Sequence, residues 1–282
     1  MASETTSSTL SELYTNITQE AIFTFSETSV MRPLVTLYPL MGSGKTAEVP
    51  VYPTISAAAV NEATDLSNTA VNPTSATITA SEIGVMTTLT DLGANSASRN
   101  VGADIGKLFG EAIAKKVDTD LCGLFSSFTT NTGGAAGTEL TADLLFKAQA
   151  QLRTLSVPAP YYAVFHPKAL FNLKKTLTQA GYSGTATAIS ELGNEALRNG
   201  YIGRIAGIDV FENANLAIDG SDDSVGGVFH PASIGLAMKE DFKVETQRDA
   251  SLRATEIVAS IVYGKAVVKE SFGVAITTDA AF

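Results

Sequence analysis

The feature that most constrains this chain is a long apolar repeat of helical period over residues 98–128. Its apolar members lie three or four positions apart with charged residues between them, which predicts an amphipathic helix. They are Val101, Ile105, Leu108, Phe109, Ala112, Ile113, Val117, Leu121, Leu124, Phe125 and Phe128. A helix of about 28 residues would be about 42 Å long. Few compact domains need so long a helix, so the pattern predicts an element that reaches beyond a compact core.

The same pattern predicts how this helix is rotated. Ile105 and Leu108 are three residues apart, so we expect both to lie in the buried apolar stripe. Glu111 is expected to face away from it. An aspartate at position 108 should therefore unfold the subunit, whereas Glu111→Ala should leave folding intact.

Residues 1–32 predict an N-terminal arm. Between residues 10 and 25, apolar side chains recur with helical spacing, while serine and threonine fill the other face. The apolar members are Leu10, Leu13, Tyr14, Ile17, Ala21, Ile22 and Phe25. Serine and threonine are poor helix formers, so this helix needs a partner surface, either on another part of the chain or on another copy, and we expect it to pack only against another copy. Removing residues 1–28 should then leave a folded core that assembles poorly.

Residues 33–90 predict a long extended loop. Valine, threonine and alanine dominate the segment, and prolines recur in it, which suits edge strands and extended arms. Large apolar side chains are sparse between residues 56 and 75. We expect an open two-stranded hairpin, an element that is only marginally stable alone in water.

Residues 138–282 predict a compact mixture of helices and strands. Helices are expected at residues 141–155, 167–175 and 190–199, and strands at residues 161–165 and 226–229. Residues 202–211 predict a pair of strands bent at Ala206 and Gly207. Two β-rich runs, 257–262 and 266–276, are separated by Gly264 and Lys265. Because glycine often marks a turn, we expect these runs to form a final antiparallel pair.

The composition excludes several classes of function. The 282 residues include 19 basic and 29 acidic side chains, a net charge of −10, so nothing favours binding to nucleic acid or an anionic membrane. No apolar run of about 18 residues could span a bilayer, and we expect no signal peptide at the N-terminus. With one cysteine and two histidines, a disulfide framework, a zinc site or a Cys–His pair is not expected.

The sequence Gly42-Ser43-Gly44-Lys45-Thr46 is the most tempting chemical motif. A phosphate-binding loop needs a further glycine five positions before Gly44 and a helix after the motif. Pro39 occupies that position, and the run that follows contains two prolines. We interpret the motif as a glycine turn between extended strands. A nucleotide-binding enzyme stays as a minor alternative.

Three other candidates favour structural interpretations. His166 and His230 each lie between a phenylalanine and a proline, which indicates one strand-to-helix corner used twice, although metal ligation or general-base catalysis would use the same residues. Cys122 lies on or beside the apolar stripe and is interpreted as a small hydrophobe. The acidic run 219–223 lacks the glutamate that closes a helix–loop–helix calcium site, so we interpret it as a solvated loop. We therefore predict no catalytic, cofactor-binding or metal-binding residue.

The order of arm, extended loop, long helix and compact region resembles the major capsid proteins of tailed bacteriophages, which have the Hong Kong 97-type capsid fold. The resemblance covers nearly the whole chain, with family-like runs at residues 162–168, 203–210 and 257–268. It implies an α+β fold with an arm at residues 1–32, an extended loop at 33–90, a spine helix with part of the peripheral domain at 91–154, an axial domain at 155–235 and return strands of the peripheral domain at 236–282.

The resemblance also implies a structural protein with no enzymatic activity and no cofactor. Its copies would assemble as hexamers and pentamers, in the host cytoplasm, into the icosahedral head shell of a virion. That shell would enclose DNA without sequence-specific binding. A portal, a separate scaffolding protein and a decoration protein would be its partners.

Several points stay open at this stage. Some family members form a Lys–Asn cross-link, and Lys45 lies in the extended loop, but without defined partners we do not carry that chemistry over. An encapsulin, a cellular nanocompartment shell of the same fold, remains an alternative. A secreted surface protein would require an export signal.

Overall fold

The structure, a computed structural model, describes residues 17–25, 29–40, 44–57, 59–61, 65, 68–96, 101–182 and 203–281. The helices are α1 over residues 17–25, α2 (Asp91–Ser96), α3 (Val101–Cys122), α4 (Ala142–Thr154) and α5 (Pro167–Tyr182). The strands are β1 (Thr36–Pro39), β2 (Thr46–Val51), β3 (Thr74–Thr90), β4 (Thr132–Gly134), β5 (Tyr161–Phe165), β6 (Arg204–Ile205), β7 (Ile208–Glu212), β8 (Asp223–Phe229), β9 (Ile234–Asp249), β10 (Ala254–Val267) and β11 (Gly273–Asp279). This mixture confirms the predicted α+β class.

The first sheet is a long ribbon of five strands in the order β1-β9-β10-β3-β2. Its centre pairs Val258 of β10 with Met86 of β3 on one side and Glu245 of β9 on the other. Alternate residues of β10, including Ile257, Ala259 and Ile261, are buried in one core cluster with the inner face of α3. Burial of every second residue is the pattern of a strand in a sheet that has one face against the core.

The second sheet has six strands in the order β4-β11-β8-β5-β7-β6. Two neighbouring glycines of β8 let aromatic rings lie directly on its backbone. A β-carbon on Gly226 would come within 2.2 Å of the Phe165 ring, and one on Gly227 within 2.5 Å of the Phe125 ring. Helices α4 and α5 cover this sheet with a second apolar cluster that includes Leu145, Leu152 and Leu170.

The long helix forms where the sequence predicts it, and a 3-10 turn (Gly123–Ser127) continues it. The predicted burial of Leu108 is wrong, because its side chain is 62% exposed, whereas Ile105 is partly buried against the core as predicted. The buried apolar stripe consists of Phe109, Ile113, Val117 and Leu121. Glu111 is exposed, as predicted.

The prediction that the arm helix packs only against another copy is also wrong. Ile17, Ala21 and Phe25 of α1 are buried in the same cluster as Phe109 and Ile113 of α3. The physical reason is that α3 presents small residues to α1, and a search for large apolar residues does not detect such a surface. Removal of residues 1–28 would therefore expose the core.

The predicted hairpin is present, since β2 pairs antiparallel with the first part of β3, from Thr74 to Thr79. The rest of β3 pairs with β10, so the hairpin is continuous with the centre of the first sheet. The domain boundaries stay predictions. The helix predicted at residues 190–199 lies outside the described residues.

The predicted final antiparallel pair is wrong. β10 runs through Gly264 and Lys265 without a turn, and β11 lies in the other sheet, between β4 and β8. Gly264 is needed for close approach, because a β-carbon there would lie 2.5 Å from the carbonyl oxygen of Thr79. The glycine that suggests a turn therefore permits strand pairing at this point.

Candidate assembly surfaces

Helix α1 lies in backbone contact with α3. A β-carbon on Gly106 would lie 2.6 Å from the carbonyl oxygen of Ile17, and one on Gly110 would lie 2.6 Å from that of Ala21. Ile17 and Ala21 are fully buried. The two glycines are one helical turn apart, so together they form a shallow groove that fits the backbone of α1.

The C-terminal end of α1 is held by an aromatic stack. The ring of Phe25 stacks on that of Phe242 at 5.8 Å between centroids, and the Arg32 guanidinium lies 5.0 Å from the Phe25 ring centroid. Arg32 also pairs with Asp241 at 3.6 Å. These contacts connect the arm to β9 as well as to α3.

A buried carboxylate joins the arm, α3 and the second sheet. Asp118 is fully buried, and its Oδ1 accepts hydrogen bonds from the Ser29 hydroxyl (2.7 Å) and the Met31 amide (3.2 Å). Its Oδ2 accepts from the Val30 amide (2.9 Å) and from Nδ2 of Asn213 (3.1 Å). Four donors for two oxygens suit a carboxylate, which has acceptor sites only.

Two positions further along α3, Asp120 joins the helix to β10. The Tyr263 hydroxyl donates to Asp120 at 2.9 Å, and the Nζ atoms of Lys116 and Lys265 each lie 2.9 Å from its Oδ1. Burial opposes ionisation of Asp120, but these hydrogen bonds outweigh it and lower the pKa of the carboxyl. Asp120 has no contact with the arm among these bonds.

The extended hairpin, unlike the arm, is largely exposed. Beyond the paired strands, the described residues between 52 and 73 have no strand partner and are all exposed. The large apolar side chains among them are Tyr52, Ile55, Val60 and Val71. Single exposed apolar residues are normal, but a concentration of them in one projecting segment is typical of an interaction site.

A cleft of about 630 Å³ lies between the base of the hairpin and the corner that precedes β11. On its wall, Oε1 of Glu270 accepts hydrogen bonds from the hydroxyls and backbone amides of Thr129 and Thr130, at 2.6 to 3.1 Å. These bonds lower the pKa of Glu270 to about 2. The corner is therefore fixed while the hairpin beside it projects.

The glycine motif at residues 42–46 does not lead into a helix. Residues 42 and 43 lie outside the described residues, and Thr46 begins strand β2. Nζ of Lys239 donates to the Gly44 carbonyl at 2.6 Å, and the Ala80 amide donates to the Lys45 carbonyl at 2.7 Å. The described part of the motif, Gly44 to Thr46, therefore leads into a strand and not into the helix that a phosphate-binding loop needs.

The two histidines form the same corner twice. Nδ1 of His166 accepts a hydrogen bond from the Lys168 amide (3.2 Å), and Nδ1 of His230 accepts one from the Ala232 amide (3.1 Å). Burial, followed by a nearby lysine in each case, lowers the pKa of both imidazoles, so the unprotonated acceptor is favoured. No cluster of metal-ligating side chains occurs in the part of the chain that the structure describes.

The surroundings of the remaining candidates favour structural roles. Cys122 is buried, and burial followed by the charge of Asp118 raises the pKa of its thiol, which disfavours a nucleophilic thiolate. In the acidic run, Oδ1 of Asp219 accepts from the amides of Ser221 and Asp223, and Asp223 itself is buried. This run is therefore a hydrogen-bonded turn, only part of which is solvated. The helices of the described ranges contain no segment long and apolar enough to cross a membrane.

Sequence reasoning missed the residues that organise the arm. Asp118 is one of the charged residues between the apolar members of the long helix, which the helical pattern assigns to its polar face, yet it is fully buried. The available signal is the spacing of glycines at positions 102, 106 and 110, which marks a helix face that can approach another backbone closely.

The comparisons with known proteins agree with this architecture. The sequence matches the family model described as phage capsid protein over residues 76–276. Among curated proteins, none matches the chain.

Solved structures share the fold at low identity. A structure from Mycobacterium phage Che8 is 22% identical, covers 83% of this chain and 85% of its own, and gives a TM-score of 0.65. The capsid of cyanophage P-SCSP1u is 17% identical over 90% of this chain and 89% of its own, with a TM-score of 0.69. A virus-like particle from Pyrococcus furiosus is 9% identical over 94% and 99%, with a TM-score of 0.63.

These structures show a shared fold, whereas the family model that matches is that of phage capsid proteins, so the encapsulin-like alternative is less favoured than the phage capsid. The family match, over residues 76–276, includes most of β3, the long helix α3 and the second sheet as far as β11, together with β9 and β10 of the first sheet. The chain therefore belongs to the phage capsid protein family, has the Hong Kong 97-type fold, and is a structural protein of the capsid shell in the virion.

Proposed function

We propose that copies of this chain associate as hexamers and pentamers and close into an icosahedral head shell around the phage genome. The observation that carries this proposal is the projecting hairpin, whose exposed apolar residues Tyr52, Ile55, Val60 and Val71 have no core of their own. Burying them against neighbouring copies would contribute about 25 cal/mol per Å² of apolar surface.

The finer features of the proposal follow from the family. Assembly takes place in the host cytoplasm, with a portal, a separate scaffolding protein and, in some virions, a decoration protein as partners. The net charge of −10 favours a shell that encloses DNA without binding it. The role is structural, and we propose no catalytic residue. The boundaries at residues 32, 90, 154 and 235 are proposed as divisions between arm, extended loop, spine region, axial domain and return strands.

A pair of charge-matched variants tests this function. Ile55→Asp with Val60→Asp places two carboxylates on the exposed apolar side chains of the hairpin. Ser56→Asp with Asn61→Asp adds the same charge at exposed neighbouring positions and keeps the apolar side chains. Both variants should fold, because all four positions are solvent-exposed.

Light scattering and negative-stain electron microscopy would report assembly, and circular dichroism would report folding. The wild type and the Ser56/Asn61 variant should form closed shells, whereas the Ile55/Val60 variant should remain as small folded species. A wild-type protein that stays a folded monomer of 29.4 kDa under all assembly conditions would refute the function. Normal shells from the Ile55/Val60 variant would refute the role of the hairpin.

A further inference from the structure

The buried carboxylate of Asp118 lies at the point where the arm joins the subunit body. On the arm side it accepts from three donors on three consecutive residues, Ser29, Val30 and Met31. Two of these donors are backbone amides, one for each carboxylate oxygen. The direction of the chain at residues 29–31 is therefore set relative to helix α3.

The fourth donor connects the same carboxylate to the second sheet. The side-chain amide of Asn213 donates to Asp118, while its backbone amide donates to the carbonyl of Phe165 at the end of β5 (3.0 Å). The Asn213 Oδ1 accepts from the Asn215 amide at 2.8 Å, which fixes the orientation of the side-chain amide. Arm, spine helix and second sheet thus share one polar contact.

Packing alone does not require a carboxylate at this position. Burying a charge is costly unless hydrogen bonds compensate it, and an apolar side chain of similar volume is often at least as stabilising. No ion pair to Asp118 occurs among the described residues, where Arg32 pairs with Asp241 instead. The carboxylate instead fixes the direction of the chain at residues 29–31, because each of its four hydrogen bonds requires a donor at a defined position.

We propose that Asp118 is a positioning residue for shell assembly, which fixes the direction in which the arm leaves the body and couples it to the loop that carries Asn213. The assembly part of this inference rests on the proposed function, whereas the positioning part does not. Hydrogen exchange and electron microscopy therefore test the two parts separately.

The variant Asp118→Asn removes one acceptor and changes the shape of the side chain very little. In either orientation, its NH₂ group faces one of the two arm amides, because Val30 and Met31 donate to different oxygens. Exchange of the amide hydrogens of Val30 and Met31, measured on the full chain, should become about tenfold faster. Amides in the middle of α3 should keep their wild-type protection.

Asp120→Asn is the matched control, since it changes a carboxylate on the same helix that bonds to Lys116, Tyr263 and Lys265 and not to the arm. It should leave exchange at Val30 and Met31 unchanged. Negative-stain microscopy should show irregular or incomplete shells for Asp118→Asn at a temperature where circular dichroism shows both variants folded.

Wild-type exchange at Val30 and Met31 in folded Asp118→Asn would overturn the positioning role. Faster exchange with shells of normal shape and size would overturn the link to assembly while leaving the shell function intact. If Asp118→Asn does not fold, Ser29→Ala, which removes only one of the four donors, decides the question by the same two measurements. Unchanged exchange and normal shells in Ser29→Ala would likewise refute the proposal.

Discussion

The arm helix and the extended hairpin are both predicted to lack a core of their own, but they have different surroundings in the subunit. In the structure, α1 buries Ile17, Ala21 and Phe25 against its own chain, whereas the hairpin leaves Tyr52 and Ile55 exposed. Apolar residues in a segment that is predicted to lack its own core therefore indicate a contact between copies only where the folded subunit leaves them exposed.

The difference lies in the complementary surface. Helix α3 offers α1 a groove at Gly106 and Gly110, and Asp118 of the same helix accepts hydrogen bonds from residues 29–31, which follow α1. For the hairpin segment beyond the paired strands, the described part of the chain offers only a cleft at its base. The arm contact should therefore govern folding, and the hairpin should govern assembly.

The largest expected effect tests the rotation of α3 on which this comparison depends. Ile113→Asp places a carboxylate on the buried stripe, which costs several kcal/mol of a total stability of about 5–15 kcal/mol. Circular dichroism should show an unfolded or insoluble subunit. Leu108→Asp and Glu111→Ala, at exposed positions, should both fold. A folded Ile113→Asp beside an unfolded Leu108→Asp would contradict the rotation of α3 seen in the structure.

The next effect concerns the arm contact itself. Phe25 is buried between Phe242 and Arg32, so Phe25→Ala should lower the free energy of unfolding by about 3–5 kcal/mol. Ile22→Ala, on the exposed side of the same helix, should change it by less than about 1 kcal/mol. Urea denaturation measures both. Equal effects would mean that the arm does not belong to the core.

A smaller effect is expected from the glycine groove. A β-carbon at position 110 would overlap the backbone of α1, so Gly110→Ala should destabilise the subunit by about 1–2 kcal/mol even though alanine favours helix. Gly123→Ala is the control, since nothing lies within 4 Å of a β-carbon there. Thermal denaturation should separate the two variants. Equal melting temperatures would contradict the close approach of the helices.

A pH titration examines the corner beside the hairpin. Hydrogen bonds from Thr129 and Thr130 hold the pKa of Glu270 at about 2, below its usual value, so the unfolded state binds the proton first on acidification. The stabilisation should be complete above about pH 4.5 and disappear as the pH falls towards 2. Glu270→Gln should reduce this dependence in acid denaturation. An unchanged acid profile would argue against these bonds.

The smallest expected effect on stability belongs to the hairpin. Tyr52→Ser changes an exposed side chain, so the free energy of unfolding of the unassembled subunit should shift by no more than about 0.5 kcal/mol. The same substitution should reduce the yield of shells. A loss of stability as large as that of Phe25→Ala would erase the distinction between the two regions.

The sequence by itself determined the order of elements, because the signals are local. The helical period places α3, the prolines and β-branched residues place the hairpin, and the Phe-His-Pro repeats place two similar corners at His166 and His230. The absence of a convincing active-site motif and the family resemblance follow from the same local patterns.

The tertiary structure alone decided which faces meet. The rotation of α3 depends on Gly106, Gly110 and Ala114, small residues that a search for large apolar side chains passes over but that are buried here. The continuity of β10 through Gly264 depends on the close backbone of β3, and the burial of Asp118 depends on donors from residues 29–31 and 213. Each is a contact between residues far apart in the chain. The periodicity of the sequence is a local pattern and does not predict which distant backbone atoms will lie against a residue.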